Sequence, residues 1–590
     1  MSTLTIDSWF ASLAERRWSE GNKRRSGAWS SAWREIAAND PTLSTARVTV
    51  EIVFGGDVVV RAATEPIETR SSTSGEVYRY APLLQAEPVV TSEISLSGGS
   101  ASLRSVSLSL DGRLVDPLAI VNGGRMLAGF GEVALQVDGG DWDDRIVLLR
   151  GDMAGGVSFG ATDEILDFEI VDQELTADRL IPPAVLTLAA WPSAREGDLG
   201  RRFPLVLSDH PSVPCLRLSG GSSACSYAVC LDDGYSAGSA YVVESLIVEG
   251  VSYPSTSSLY PWAQASEVDS ASGARLVTVS VSASIDESVE VYATIALASG
   301  RSPSLIDIVR TLLVDHSIVG NGRIDYDLLG ATETRLALGL APKVLINGSG
   351  SGDATRAIEY LESTIANDFP MLSFAWTGNG YAPAVVDRRR GLYVADLRRA
   401  QYPLIDRLSS ISESPKGDLQ NSFALRYAYD LVEGSHTGVE VRDSSTSLIC
   451  RISEEAIGRR DGGVVEAATV YDSETAAYIV DWQVEHLALP HYVVEYEGFS
   501  VLAFTLRLGD NIYLSDDLLG WERVPATVLA LTYQRGRAVV RLAVWLLYAN
   551  LPGGARSGRG VVGGGGGGQV AGAGGNNAAP AVAAQPGAND

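Results

Sequence analysis

From Ser44 to about residue 300 the chain alternates apolar and polar residues in short runs, each closed by Gly or Asp. That period suits β-strands buried on one face and leaves little room for helices. Arg47 to Phe54 alternates, Gly55-Gly56-Asp57 offers a turn, and Val58 to Ala62 follows, which predicts a hairpin. Thr91 to Leu110 continues in Ser, Val and Leu. Val133–Val137, Arg145–Arg150 and Ile165–Val171 extend the series, with turns at Asp138-Gly139-Gly140 and Gly151-Asp152. Strands this short and this regularly spaced predict a barrel or a sandwich.

The pattern changes along the chain and divides it. Residues 1–43 form an arm in which Trp9, Trp18, Trp29 and Trp33 sit among Arg16, Arg17, Arg24 and Arg25. Leu4, Trp9, Phe10 and Leu13 have the spacing of a short amphipathic helix. Such an arm either docks on a neighbouring protein or packs on its own domain. A first β domain spans 44–185, closing near Ile181-Pro182-Pro183. A β insert spans 186–303, with strands at Tyr241–Val248 and Arg275–Ser282. Helices enter at 304–400, an α+β insert: Ser304 caps a run with Leu305, Ile308, Val309, Leu312 and Leu313 at helical spacing. Asp353 opens a second helix through Ala357, Ile358, Leu361 and Ile365. Strands return over 401–549, interrupted by one helix at about Ser473–Ala488. Residues 550–590 include the six glycines Gly563–Gly568 and almost no large apolar side chain, so they are expected to be a flexible tail or tether. The predicted fold is mainly β and multidomain, with an α+β insert. The first and last β domains are candidates for related folds.

Charge narrows the partners. The 590 residues carry a formal net charge of -26, which disfavours any grip on nucleic acid through Lys and Arg. A like-charged wall can still surround DNA without holding it. No secretory leader is visible after Met1 and no apolar run is long enough to span a bilayer. Four cysteines in this length make no disulfide scaffold, so the chain reads as one folded in a cytoplasm.

The chemistry-bearing patterns are weak. Gly156-Val-Ser-Phe-Gly160 spells a nucleophile elbow, but the motif needs a strand before it and a helix after it, and strand-like Ile165–Val171 follows. Cys215, Cys225, Cys230 and Cys450 are a conceivable metal set without any CxxC pair, and buried apolar thiols are the alternative. Of His210, His316, His436, His486 and His491, the last two flank Pro490. Asp138, Asp141, Asp143 and Asp144 lack the order of a calcium loop and read as a hairpin tip. Asn347-Gly-Ser-Gly-Ser-Gly352 is Gly-rich but lacks the Lys-Ser/Thr end of a phosphate loop. No catalytic, cofactor or metal residue is assigned, and the chain is expected not to be an enzyme.

Several stretches resemble the central hub of phage tail tips, the family that includes siphophage tail hubs, contractile-tail baseplate hubs and the N-terminal part of long tail-tip proteins. They are Leu166–Asp172 with Leu180-Ile-Pro-Pro183, Arg202-Phe-Pro-Leu-Val206 leading to Pro211 and Val213-Pro-Cys-Leu216, Pro303–Leu313, Tyr471–Leu487, and Leu506-Arg-Leu-Gly-Asp510 with Ile512-Tyr-Leu514. Leu207-Ser208 stands where relatives often carry Tyr-Gly. The order of the pieces, across most of 44–549, carries the resemblance more than any one of them. It implies a homotrimer whose two tube-like β-barrel or sandwich domains per chain, 44–185 and 401–549, form a six-part ring. That ring would continue the tail channel, and the inserts would close the tip until host contact. The implied partners are a distal tail protein ring, the tape measure protein, tail fibre or tip proteins, DNA passing through the lumen, and the host envelope. The implied location is the distal end of the tail in the virion. A tail-associated receptor-binding or glycan-degrading β protein is the alternative.

Overall fold

The computed structural model describes residues 46–545 apart from 55–57, 97, 100–103, 113–128, 161–163, 173–179, 233–240, 317–323, 337–338, 348–354, 390–392, 399–406, 416, 500–505 and 535–536. The expected arm at 1–43, the tail at 550–590 and most of the Gly-rich stretch at 347–352 lie outside the described residues. The rest is mainly β, in several sheets, as the alternation predicts.

The first region contributes β1 (Ala46–Phe54), β2 (Val58–Ala63), β3 (Ile67–Arg70), β4 (Val77–Pro82), β5 (Val90–Glu93), β6 (Ser105–Asp111), β7 (Phe130–Val137), β8 (Ile146–Gly160) and β9 (Ile165–Asp172). All but β5 form one eight-stranded sheet in the order β3-β4-β2-β1-β7-β8-β9-β6. The predicted β1–β2 hairpin forms, with Phe54 opposite Val58. In β9 the period-two pattern buries Leu166, Phe168, Ile170 and Asp172. Its partner β6 buries Val106, Leu108 and Leu110.

Next come the two-residue strands β10 (Leu180–Ile181) and β11 (Leu205–Val206), then a sandwich. Its strands are β12 (His210–Pro214), β13 (Leu216–Gly220), β14 (Cys225–Leu231), β15 (Tyr241–Val248), β16 (Val251–Tyr253), β17 (Trp262–Val268), β18 (Arg275–Val281) and β19 (Val291–Leu297). The sheets β12-β19-β15-β16 and β13-β14-β18-β17 bury a core of their own, including Val229, Leu246, Val279 and Ile295.

The helical part begins with α1 (Leu305–Thr311), extended by a wider turn to His316. Ser304 caps it as expected, and Asp307 reciprocates in a capping box. Then come α2 (Tyr326–Leu336), β20 (Leu345–Ile346), β21 (Thr355–Arg356), α3 (Ala357–Tyr360, prolonged to Asp368) and the hairpin β22 (Leu372–Thr377) with β23 (Gly380–Val385). β20 pairs with β11 and β21 with β10, which stitches this part to the chain before it.

The last region holds β24 (Tyr393–Arg398), β25 (Arg407–Glu413), β26 (Ser422–Asp430), β27 (Ser435–Arg442), α4 (Leu448–Ile457), β28 (Asp461–Glu466), α5 (Ser473–Leu487), β29 (Tyr492–Phe499), β30 (Asn511–Asp516), β31 (Trp521–Gln534) and β32 (Arg537–Val544). A sheet runs β24-β30-β31-β32-β29-β25, and β5 joins it on β31, bringing it to seven strands. β27-β26-β28 form a separate three-stranded sheet against α5. Helices α2 and α4 are additions to the two inserted helices and the single late helix read from the sequence.

The two large sheets share one topology. In the first, the meander β7-β8-β9 is flanked by β1 on one side and, after β9, by the earlier strand β6. In the second, the meander β30-β31-β32 is flanked by β24 and, after β32, by the earlier strand β29. The middle strand is the long one in both, 15 residues in β8 and 14 in β31. Each pairs its first half with the preceding strand and its second half with the following one. The segment before β6 also matches: Gln85 N donates to Ser109 O and Asp111 N to Leu83 O, as β25 pairs along β29. One departure is that β24 runs parallel to β30, whereas β1 is antiparallel to β7.

The sheets also share a core. Val48, Val50, Leu135, Leu149, Leu166 and Ile170 belong to one apolar cluster with Val494, Tyr496, Ile512, Leu514, Val528 and Val540. β5 binds them further: it lies in the first region of the sequence and pairs antiparallel with Ala530–Tyr533 of β31.

Candidate functional site

The sequence candidates scatter through the fold. Gly156–Gly160 lies in β8, which continues directly into the β8–β9 hairpin. Ser158 is exposed and stands opposite Asp167 in the next strand, not at a strand-to-helix elbow. Cys215, Cys225 and Cys230 are buried in the sandwich core, and Cys450 is buried on α4 in a different core. Burial pushes the Cys215 and Cys230 thiols well above their ordinary range, against the thiolate a metal needs. Among the described residues no group of three His, Cys, Asp or Glu side chains is placed to hold a metal ion.

The Asp138–Asp144 tip is a latch. Asp143 Oδ2 accepts from Ser71 Oγ at 2.8 Å and Thr73 N at 2.9 Å. Asp141 Oδ1 accepts from Ser72 N at 3.0 Å, and Asp138 Oδ1 from Glu68 N at 3.1 Å. Although desolvation opposes it, these donors hold the Asp143 carboxyl below its usual range. Beside them Trp142 stacks on Tyr78 at 4.2 Å, with the Arg145 guanidinium 3.5 Å above the indole. The carboxylates therefore fasten the turn between β3 and β4.

His486 and His491 do not converge on an ion. His486 is stacked on Trp482 at 4.6 Å and lies edge-on to Trp545 at 5.5 Å. Burial first, then neighbouring Arg388, lowers it to about 3. Burial lowers His491 to about 4. His210, also lowered to about 4 by burial, sits at the root of the sandwich within 3.2 Å of Tyr471 Oη. His436 packs edge-on against Tyr429 at 4.9 Å, and His316 closes the turn after α1.

Two buried polar junctions, unmarked in the sequence, hold the parts together. Arg104 forms a two-pronged ion pair with Asp172, Nε to Oδ2 at 2.7 Å and a terminal nitrogen to Oδ1 at 2.8 Å. Its remaining donors reach Ser92 Oγ on β5, Leu148 O on β8 and Thr377 O at the end of β22. One guanidinium thus ties the first sheet, the strand lent to the second, and the inserted hairpin. The hairpin tip presses so closely that a Cβ on Gly378 would fall 1.7 Å from Val147 O. At the second junction Arg389 pairs with Asp387 and lies over the Tyr478 ring at 4.3 Å. Tyr478 donates to Asp387, while Asn511 on β30 donates to Asp387 O at 2.8 Å. Asp387 is held low by the Arg389 guanidinium in spite of its burial.

The outer face of β6 and β9 carries Ser105, Ser107, Ser109, Asp111, Asp167 and Glu169, and neither strand contains Lys or Arg. Ser158 of β8 joins that face beside Asp167. Ile165 and Val171 lie on the same face, opposite Asp111 and Ser105, so its hydroxyls and carboxylates are bounded by two half-buried aliphatic side chains.

No family model matches the chain, and no curated protein does. Among solved structures it is similar to a chain from "Virion of native gene transfer agent (GTA) particle", at 16% identity over 43% of this chain and 80% of that chain, with a TM-score of 0.15. At that score the likeness bears no weight for function.

Proposed function

We propose that this chain is a structural protein of a virion tail tip, a trimeric hub that continues the tail channel, and not an enzyme. The observation that carries this reading is the repeated sheet, β1-β7-β8-β9-β6 and β24-β30-β31-β32-β29 within one chain. Three chains with two such sheets each supply six similar wall elements under threefold symmetry, which lets a hub meet a sixfold tube on one side and threefold parts on the other. The middle of the outer face of β6 and β9 suits the inside of that wall, since its carboxylates and hydroxyls repel or ignore a passing polyanion. The net charge of -26 fits the same role. The sandwich and the helical part, the latter stitched through β10–β21 and β11–β20 to the chain that precedes the sandwich, would close the tip and meet fibres and the host envelope.

A glycan hydrolase would need a cleft with converging carboxylates. The cavity beside Arg104, about 220 Å³, is lined by Val89, Val90, Thr91, Glu93, Arg104, Ser105 and Trp376, with Glu93 as its one carboxylate. Glu93 is itself paired with Arg541 at 3.2 Å.

Two-dimensional averaging of the purified protein by electron microscopy tests the reading. End-on views are expected to show a ring of six densities around a channel, alternating in size with threefold symmetry. Compact particles without a channel, alone and with the distal tail protein, would refute it.

A further inference from the structure

Trp545 follows the last residue of β32, and the chain continues from it into residues 546–590. Its ring is buried, and three basic side chains from elsewhere in the fold surround it. His486, next to last in α5, meets the indole edge-on at 5.5 Å. His491, just before β29, lies at 6.0 Å. The Arg388 guanidinium, three residues past β23, stands over the ring at 5.1 Å. The backbone holds this end loosely by comparison, with Trp545 N donating to Pro525 O at 3.4 Å.

Hydrogen bonds fix the protonation state of His486. Nδ1 faces Trp482 O at 2.9 Å, and a carbonyl can only accept, so Nδ1 carries the proton. Nε2 faces the Arg388 backbone N–H at 3.5 Å, and an N–H can only donate, so Nε2 is bare. The neutral imidazole alone satisfies both. A second proton, on Nε2, would point at that N–H beside the Arg388 guanidinium, itself tied to Glu485 O. The other charged neighbours do not offset this. Asp387 favours a proton on His486 but is committed to Arg389 and Tyr478, and Arg389 opposes the proton. Glu485 shares Arg389 at 3.8 Å, and Asp481 pairs with Arg442. Asp418 favours a proton on His491, and Arg388 opposes it. Burial first, then Arg388, keeps both rings neutral in the fold.

We propose that Arg388, His486 and His491 form an acid-released clamp on Trp545, held shut by neutral imidazoles and opened when both rings take up protons, which frees the end of β32. One cation over an indole is favourable, but three buried around the same ring repel one another. Once Trp545 withdraws, water reaches both imidazoles and each returns towards its ordinary value near 6.5. At pH 5 such a histidine is protonated about 30-fold over neutral, so the pair favours opening by up to roughly 1000-fold. The clamp sits where the chain passes from the second large sheet into 546–590, and it does not depend on the ring reading.

Hydrogen exchange of the full chain, read by mass spectrometry at pH 7.5 and 5.0 and corrected for the intrinsic rate at each pH, tests the clamp. The amides of Ala543–Trp545 are expected to lose protection by roughly several hundredfold at pH 5.0, while those of β14 and β18 in the sandwich change by less than about threefold. His486→Gln and His491→Gln are each expected to cut the loss to about 30-fold or below, and the double variant to abolish it. His491 is the less buried ring, so His491→Gln decides the matter if His486→Gln does not fold. An acid loss shared equally by β14 and β18 would mean unfolding of the whole chain and overturn the clamp. A loss at Ala543–Trp545 that persists undiminished in the variants would put the protons elsewhere and overturn it as well. Unchanged protection between the two pH values would do the same.

Discussion

Arg104 holds Asp172 through two parallel hydrogen bonds at 2.7 and 2.8 Å, with the two side chains only 8% and 1% exposed. The other donors of that guanidinium are spent on β5, β8 and the β22–β23 hairpin. Removing one member of such a pair leaves a buried charge alone, which costs about 3–5 kcal/mol. Arg104→Leu is therefore expected to lose that much in urea unfolding. The Arg104→Met/Asp172→Leu double variant is expected to recover most of it. A loss under ~0.5 kcal/mol in the single variant would mean the junction is not what joins the sheets.

Asp368 gives the stability a pH signature. Burial, only partly offset by Thr469 N and Oγ1 at 2.8 and 2.7 Å, raises its carboxyl to about 6. A raised folded-state acid stabilises the fold most below the unfolded value near 4, and that contribution is lost as pH rises through about 6. The interval from 3.8 to about 6 corresponds to ~3 kcal/mol. Asp368→Asn is expected to be less stable than the parent at pH 4 relative to their difference at pH 7.5. Parallel pH–stability curves for the two proteins would contradict this.

The buried histidines act in the opposite sense. His486, His491 and His210 are neutral when folded, with values lowered to about 3, 4 and 4. Their contribution is complete above the unfolded value near 6.5 and is lost as pH falls through the folded values. His486→Gln, which cannot take the proton, is expected to flatten the acid limb of the melting temperature between pH 6.5 and 4. An unchanged acid limb would place the proton uptake elsewhere.

The Asp138–Asp144 latch predicts indifference to calcium. Its carboxylates already accept backbone and hydroxyl donors, so millimolar Ca²⁺ or excess chelator is expected to leave the melting temperature unchanged. Asp143→Ala is expected to cost about 1 kcal/mol by removing the acceptor of Ser71 Oγ and Thr73 N, which water partly replaces at this exposed position. A rise of several degrees with Ca²⁺ would contradict the latch.

The strands were legible because burial on one face leaves a residue-by-residue trace: Leu166, Phe168 and Ile170 alternate in the sequence as they do in β9. Helix α1 was legible through its cap and its apolar spacing. Helix α2 carries a sequence signal of the same kind: Asp325 precedes Leu328, Leu329, Thr332 and Leu336 at helical spacing, and its Oδ1 accepts from Leu328 N. Helix α4 left less, because only Cys450 and Ser453 are buried on it. The kinship of β8 and β31 lies in pairing order, and Ile146–Gly160 and Trp521–Gln534 share no residue pattern. The pairing of β5 with β31, and the grip of Arg104 on Thr377, join residues hundreds of positions apart, and nothing local marks either.

Two topologically equivalent sheets in one chain are proposed to serve a threefold ring. The most direct measurement is the native mass of the full chain at micromolar concentration, alone and with the distal tail protein. The mass of three chains, free or on the ring of that neighbour, is the predicted result. The mass of a single chain in both conditions would contradict it.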